Sequence, residues 1–467
     1  MQPMQWSDLL APNRFSDAAA IPADPCRSDY DTIIRSTLFR RLQDKAQVFP
    51  LDEDDYVRTR LTHSLEVSAI SKKLGERTFA ALRAAQADPW FARHTARDFA
   101  DVLLCAGLVH DIGNPPYGHF GEYAIREWFR QHLDELYLGS EKVAHLLTEW
   151  QRQDLYRFEG NAQSLRLLAK TPHLGSMQGF DLSYAVLGSM MKYPVSSRQL
   201  EQNNPCGYRK MGYYYAEKDL FEDMSRRTGM NGRRHPLSYL LEAADDIAYH
   251  TSDVEDAVVK KVLNYRQIAA AFAAFAQQLQ SGEKEAFCRC TDLLEQMYQA
   301  ERDRGTRKPG LTALQRWNQQ MQAQMIEDAA AGFVRHYDAL MSGTLQGDLF
   351  DGTVSGHLLR AISQLSEHLV YTSPIKIRTE LYGRRVIASL MGHFLPAAVK
   401  YDTAEEMSFI DRRVMDTVSD FYKSMYHTEA QDRSEADKLY LRILMITDYL
   451  SGMTDNYAKR LYQDLFG

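Results

Sequence analysis

No part of the 467-residue chain comes near the run of about 18–20 consecutive apolar residues that a membrane-spanning helix needs. Its first 25 residues hold no basic segment followed by an apolar one, so a cytoplasmic location is expected rather than secretion. Cysteine is scarce. Cys26, Cys105, Cys206, Cys288 and Cys290 form no CxxC pair, and Cys288-Arg289-Cys290 lacks the partner pair of a zinc knuckle. A disulfide-stapled scaffold is excluded, and reduced thiols are expected. Positive charge is not in excess either. Lys and Arg number 55 against 62 Asp and Glu, a net charge of −7, unlike a general nucleic-acid binder. The densest basic clusters are Arg226-Arg227 with Arg233-Arg234, the stretch 302–308, and Arg384-Arg385; they read as solvated surface. Internal repeats and low-complexity tracts are missing, which argues against a solenoid. Alternating strand-like runs are rare, and Met211-Gly212-Tyr213-Tyr214-Tyr215 is the best candidate for a short extended piece or hairpin.

What the chain does have is helical periodicity. Residues 30–46, 59–85, 96–110, 161–170, 237–262, 267–299, 311–340 and 435–465 all repeat apolar side chains at the helical spacing. The expected fold is all-α with at most one short β hairpin. Loops are expected at 196–212, 228–235, 303–310 and 342–353, where Gly, Pro and Asn collect. The chemistry-bearing residues thin out past 262. The expected division is therefore an N-terminal extension over 1–29, a catalytic unit over 30–262, and a C-terminal helical region over 263–467.

The candidate chemistry centres on His110-Asp111. The run from Phe99 to Val109 is apolar apart from Asp101, and it ends in two ionisable groups. Buried without partners, such groups would cost roughly 1–3 kcal/mol each. Coordination of a divalent ion removes that cost, because neutral imidazole and carboxylate are natural ligands. Two other segments supply matching residues. In Arg58-Thr59-Arg60-Leu61-Thr62-His63, an arginine and a histidine lie beside a stripe of Leu61, Leu65 and Ile70 expected to face the core. In Leu240-Leu241-Glu242-Ala243-Ala244-Asp245-Asp246, acids interrupt an apolar helix. Two histidines and two aspartates from three helices make an N2O2 set that leaves positions for water or phosphate oxygens.

These stretches resemble the bacterial dGTP triphosphohydrolases of the HD-domain phosphohydrolase superfamily. The resemblance rests on Arg40-Arg41-Leu42-Gln43-Asp44-Lys45-Ala46-Gln47-Val48-Phe49-Pro50, on Arg58 to Ser64, and on His110-Asp111-Ile112-Gly113-Asn114-Pro115-Pro116-Tyr117-Gly118-His119-Phe120-Gly121-Glu122. It extends through Glu242 to Tyr249 and Asp448-Tyr449-Leu450-Ser451-Gly452-Met453-Thr454-Asp455, from about residue 30 to the C-terminus. The resemblance implies a helical HD fold and hydrolysis of a deoxynucleoside triphosphate to the nucleoside and tripolyphosphate. It implies a divalent cofactor, Mn²⁺ or Mg²⁺ or another first-row ion, held by His63, His110, Asp111 and one of Asp245-Asp246. The family's metal aspartate is followed at plus four by tyrosine and at plus eight by aspartate. From Asp245 these are Tyr249 and Asp253, whereas from Asp246 they are His250 and Val254, so Asp245 is the expected ligand.

The same resemblance implies that His119 and Glu122 are the catalytic pair, with Glu122 setting the protonation of His119. A capping role for His119 in the helix that follows is the competing reading. Arg60, Lys192, Tyr193 and Lys210 are the implied phosphate ligands. Gln47, Tyr249 and Asp253 are the implied sugar contacts. Glu380 and Arg412, or Arg413 beside it, are the candidate base readers. A homo-oligomer, commonly a hexamer, and single-stranded DNA as an effector are further implications. The stretch 302–308 is a candidate DNA contact. Three other functional readings stand beside dGTP hydrolysis: a triphosphohydrolase acting on several dNTPs, a nucleotide- or single-stranded-DNA-binding regulator with a weak HD site, and a different HD chemistry such as hydrolysis of nucleoside monophosphates or cyclic dinucleotides.

Overall fold

A computed structural model describes residues 2–16, 22–52, 54–171, 179–202 and 207–467. Parts of the expected N-terminal extension (1 and 17–21) and of the expected 196–212 loop (203–206, with Cys206) lie outside the described residues.

The fold is all-α with one small hairpin, as the periodicity predicts. Nine helices place the site. They are α1 (Arg60–Ala84), α2 (Ala96–Val109), α3 (His119–His132), α4 (Gly160–Lys170), α5 (Pro236–Val259), α6 (Pro309–Arg335), α7 (Pro374–Ala398), α8 (Glu435–Ser451) and α9 (Asp455–Phe466). Local chemistry sets their ends. Thr59 and Thr62 form a capping box on α1, as do Thr95 and Asp98 on α2, and Pro236 opens α5 behind His235. Several sequence-predicted helices are broken. The 267–299 segment splits at Gln280, which starts a new helix with Glu283, and 435–465 splits at Gly452, before the Thr454 cap. The first predicted helix, 30–46, is three short pieces, Pro25–Arg35, Thr37–Arg41 and Leu42–Asp44.

The hairpin is not where the tyrosine run suggested. It pairs β1 (Tyr137–Leu138) with β2 (Glu141–Lys142) antiparallel, turning at Gly139, whose φ is +60°. Tyr213 instead makes a single parallel bridge to Ser196, because Tyr213 and Tyr214 are buried against helices rather than paired with a strand.

The expected core stripe on α1 is corrected as well. Leu65 is 49% exposed, while the buried face runs through His63, Ser64, Val67, Ser68, Ser71 and Leu74. Small serines make this face because α2 packs tightly on it: a methyl group added at Gly107 would lie 2.7 Å from the Ser68 Cα.

Two apolar cores interleave along the chain. One joins Val67 and Leu74 of α1, Leu103 and Val109 of α2, Leu240 and Ile247 of α5, and Trp317 and Met325 of α6. The other joins Ile125 and Phe129 of α3, Leu390 and Phe394 of α7, and Leu444 and Ile446 of α8. Each such buried side chain contributes about 1.5–3 kcal/mol. Residues on both sides of position 262 share the first core, and helix α4 feeds both, through Leu165 and Leu168 on one side and Ala162 on the other.

Candidate metal and phosphate site

Helices α1, α2 and α5 bring the metal candidates together. His63 lies buried on α1, with Nε2 3.1 Å from Asp245 Oδ1 on α5. His110 follows α2 directly, and its Nδ1 sits 2.8 Å from the Gly107 carbonyl. That contact places the proton on Nδ1 and leaves the Nε2 lone pair free to coordinate. His110 Nε2 is buried without a hydrogen-bond partner, 3.7 Å from both Asp245 Oδ1 and Asp111 Oδ1. His63, His110 and Asp245 each offer one ligand atom within 4.8 Å of the others. The orphaned imidazole nitrogen and the N2O donor set fit a divalent ion.

Asp111, the fourth expected ligand, stands at the rim of this set. One of its oxygens accepts from the Arg60 guanidinium and the other from the Asn114 amide. Burial opposes its ionisation, but Arg60, His110 and His63 outweigh that and hold its pKa well below the usual carboxylate range. Asp246 points to different surroundings. Burial and the nearby Glu242 push its pKa upward, disfavouring the ionised form that a metal ligand needs.

Close backbone packing fixes the loop after Asp111. A Cβ at Gly113 would lie 2.2 Å from the Gly160 carbonyl, so this loop rests directly on the start of α4. Tyr117 and Gly118 both take positive φ, +65° and +62°. Gly118 is the N-cap of α3 and no side chain caps that end, so His119 does not serve as a cap. His119 is 77% exposed at the first position of α3, and its Nδ1 faces the buried Glu122 Oε2 at 3.5 Å. Glu122 also accepts from the Gly160 N–H at 3.1 Å and lies 3.7 Å from Arg126. Burial alone would raise the Glu122 pKa, but His119, Lys210 and Arg126 together hold it below the ordinary value.

Each cation expected to bind phosphate is paired with a carboxylate. Arg60 holds Asp111, Lys192 Nζ lies 2.6 Å from Glu242, and Lys210 Nζ lies 3.1 Å from Glu159. Glu242 also takes Arg234 at 2.6 Å, a cation that sequence reading assigned to the surface and that is buried here. Ser238 and Glu242, four and eight residues on along one face of α5, hold it there. Tyr193 lies beside Lys192, whose Nζ is 5.6 Å from the ring centre.

The expected sugar residues Tyr249 and Asp253 follow Asp245 at one and two turns along the same face of α5. Asp253 is buried, accepts from the Tyr371 hydroxyl at 2.7 Å, and keeps Oδ1 unpaired. Burial lifts its pKa to about 7. Tyr249 lies close enough to Asp253 and Tyr371 to interact with both. The side-chain oxygen of Gln47 is likewise buried and unpaired. Tyr371 escaped sequence reading. It directly follows a wide π turn, Ser366–Val370, that no local signal marks.

The candidate base readers differ. Glu380 pairs with Lys376 at 3.4 Å, and Lys376 also donates to the Val48 carbonyl next to Gln47. Arg412 is exposed and bonds Met407 O, with no hydrogen bond or ion pair to the other site residues among the described residues.

Similarity to known proteins follows the same residues. An HD-domain family model matches residues 60–170, the span from Arg60 through α4. An HD domain is a divalent-metal-binding unit, in keeping with the His/Asp set. A Listeria monocytogenes serovar 1/2a protein named deoxyguanosinetriphosphate triphosphohydrolase-like is 38% identical over 473 residues, covering 99% of this chain and 100% of the relative. A Synechocystis sp. protein of the same name is 32% identical over 99% of each chain. A Yersinia enterocolitica deoxyguanosinetriphosphate triphosphohydrolase is 30% identical over 94% of this chain and 93% of its own. Among the described residues no helix is long and apolar enough to cross a membrane. An end-to-end match at this level means shared fold and descent, and the chain belongs to the bacterial dGTP triphosphohydrolase family of the HD-domain superfamily.

Proposed function

We propose that this protein hydrolyses dGTP to deoxyguanosine and inorganic tripolyphosphate with Mn²⁺ or Mg²⁺ as cofactor. The observation that carries the reading is one arrangement. A His63–His110–Asp245 donor set stands at the start of the loop that ends in an exposed imidazole, His119, which is backed by a buried carboxylate, Glu122.

In the proposed reaction water adds to the α-phosphorus, the bond to the 5′-oxygen breaks, and that oxygen takes up a proton. The metal, when bound, gathers phosphate oxygens, offsets their charge and lowers the pKa of water. His119, with Glu122 facing its Nδ1, delivers the proton to the leaving 5′-oxygen. Arg60, Lys192, Tyr193 and Lys210 hold the phosphate chain, the cations exchanging their present carboxylate partners for phosphate oxygens. Asp253 Oδ1 and Gln47 have buried, unpaired acceptors suited to a sugar hydroxyl, and Tyr249 adds crowding that disfavours a ribose. Glu380 reads guanine N1 and N2, and Arg412, from a neighbouring copy, reads O6 and N7.

The test is an assay of four dNTPs at equal concentration with Mn²⁺, resolving tripolyphosphate from phosphate and pyrophosphate. Tripolyphosphate from dGTP far above the others is expected. Comparable turnover of all four would replace the dGTP-selective reading with the broader one. No turnover, with retained binding of nucleotide or single-stranded DNA, would favour a regulator.

A further inference from the structure

The C-terminal turn between α8 and α9 reaches back to two loops of the proposed active site, far from it in sequence. Asp455, the first residue of α9, is 2% exposed. Its Oδ2 accepts the Ala46 N–H at 2.9 Å and its Oδ1 accepts the Tyr117 N–H, also at 2.9 Å. The Tyr117 hydroxyl returns to the Asp455 carbonyl at 3.4 Å. Ala46 immediately precedes Gln47. Tyr117 begins the left-handed pair, Tyr117-Gly118, that launches α3 with His119 at its first position.

The neighbouring contacts serve the same two loops. Lys45 is buried, and its Nζ donates to the carbonyls of Ser451 and Asn114 at 2.6 Å each. Asn114 in turn holds Asp111. Asn456 donates to Asp44 at 2.6 Å, and Arg41 reaches the Gly452 carbonyl at 3.0 Å. A turn that only closed the fold would not need a buried carboxylate. Placing one there carries a desolvation cost, which burial expresses by raising the Asp455 pKa. Its two oxygens are used one on each loop, so the distance between the loops is set by a single rigid group.

We infer that Asp455 is a positioning residue that holds the His119 loop and the Gln47 loop at a fixed separation, so that proton delivery and sugar binding act on one substrate. This rests on the proposed triphosphohydrolase reading. A non-Gly residue at positive φ persists only where its surroundings fix it, and the hydrogen bond from the Tyr117 N–H to Asp455 is one contact that does so.

Asp455→Asn in the full-length protein tests it. The variant keeps one oxygen and presents an amide donor in place of the other, so one of the two N–H groups loses its acceptor. With dGTP and Mn²⁺, a drop in kcat of about tenfold or more is expected, with Mn²⁺ affinity changed less than about twofold. In a His119→Ala background the same change should lower kcat by less than about twofold, because the group being positioned is gone. An unchanged kcat, or an equal drop in both backgrounds, overturns the inference. Asp455→Glu, which keeps the charge and both oxygens but shifts them by one methylene, carries the same expectations if Asp455→Asn does not fold. Hydrogen exchange separates this inference from the reading it rests on. Even if the wild type turned over no dGTP, faster exchange confined to peptides spanning 44–50 and 114–122 would support the latch. No change, or change spread through α1, would refute it.

Discussion

Gly107 lies against the backbone of Ser68 so closely that a methyl group in its place would stand 2.7 Å from the Ser68 Cα and 2.9 Å from its nitrogen. Ser68 is five residues past His63, and Gly107 is three before His110, so this contact sets how near the two imidazoles come. Their ring centres are 5.3 Å apart. Gly107→Ala should therefore lower stability by about 1–3 kcal/mol and weaken Mn²⁺ binding at the same time. Thermal unfolding and calorimetric titration read the two effects. Full Mn²⁺ affinity in a folded Gly107→Ala protein would show that the helix spacing does not set the ligand geometry.

His110→Ala should abolish Mn²⁺ binding, since it deletes an orphaned imidazole nitrogen of the donor set. Between the adjacent aspartates, Asp245→Asn should cost at least about tenfold in Mn²⁺ affinity, whereas Asp246→Asn should cost little, because Asp245 and not Asp246 joins His63 and His110 in the donor set. Equal losses would mean that both carboxyls serve the metal.

His119→Ala should leave the melting temperature and Mn²⁺ affinity near the wild-type values, because the side chain is 77% exposed. Its kcat should fall by about 10²–10⁴. A rate within a few-fold of wild type would remove His119 from the reaction.

Stability should fall as pH rises from about 4 to about 7, partly through Asp154. This buried carboxyl accepts from Ser197 Oγ at 2.5 Å, Tyr440 Oη at 2.6 Å and Tyr215 N at 2.7 Å, and burial pushes its pKa up to about 7. The folded state thus holds the proton more tightly than the unfolded chain. The stability gained is complete below the ordinary carboxyl pKa of about 3.9 and lost as pH rises through about 7. Asp154→Asn mimics the protonated form and should remove up to about 1.4 kcal/mol per pH unit of that slope. Denaturant melts at pH 5, 6, 7 and 8 would show parallel curves for variant and wild type if Asp154 does not titrate in this window.

Much of the site could be read in advance where side chain and helix period coincide. The residue types led to His63 and His110, the family resemblance chose Asp245 over Asp246, and the structure brings these three together. Reading failed where small or distant residues decide the geometry. The buried face of α1 is built from Ser64, Ser68 and Ser71, so an apolar pattern chose Leu65, which is exposed. Tyr371 meets Asp253 across 118 residues, and no local period encodes such a meeting. Arg412 stands on an exposed helix face, where one chain offers it no contact with the site.

The interleaved cores have a mechanical consequence. His110 hangs from α2, which is anchored in the first core, and His119 starts α3, which is anchored in the second. The eight residues between them are the bridge from one rigid mass to the other. Metal-binding strength and turnover are therefore separable properties. On the proposed mechanism, cavities opened beneath α7 or α8, at Phe394 or Leu444, would slow the reaction by misaligning His119 while the metal stays bound as before.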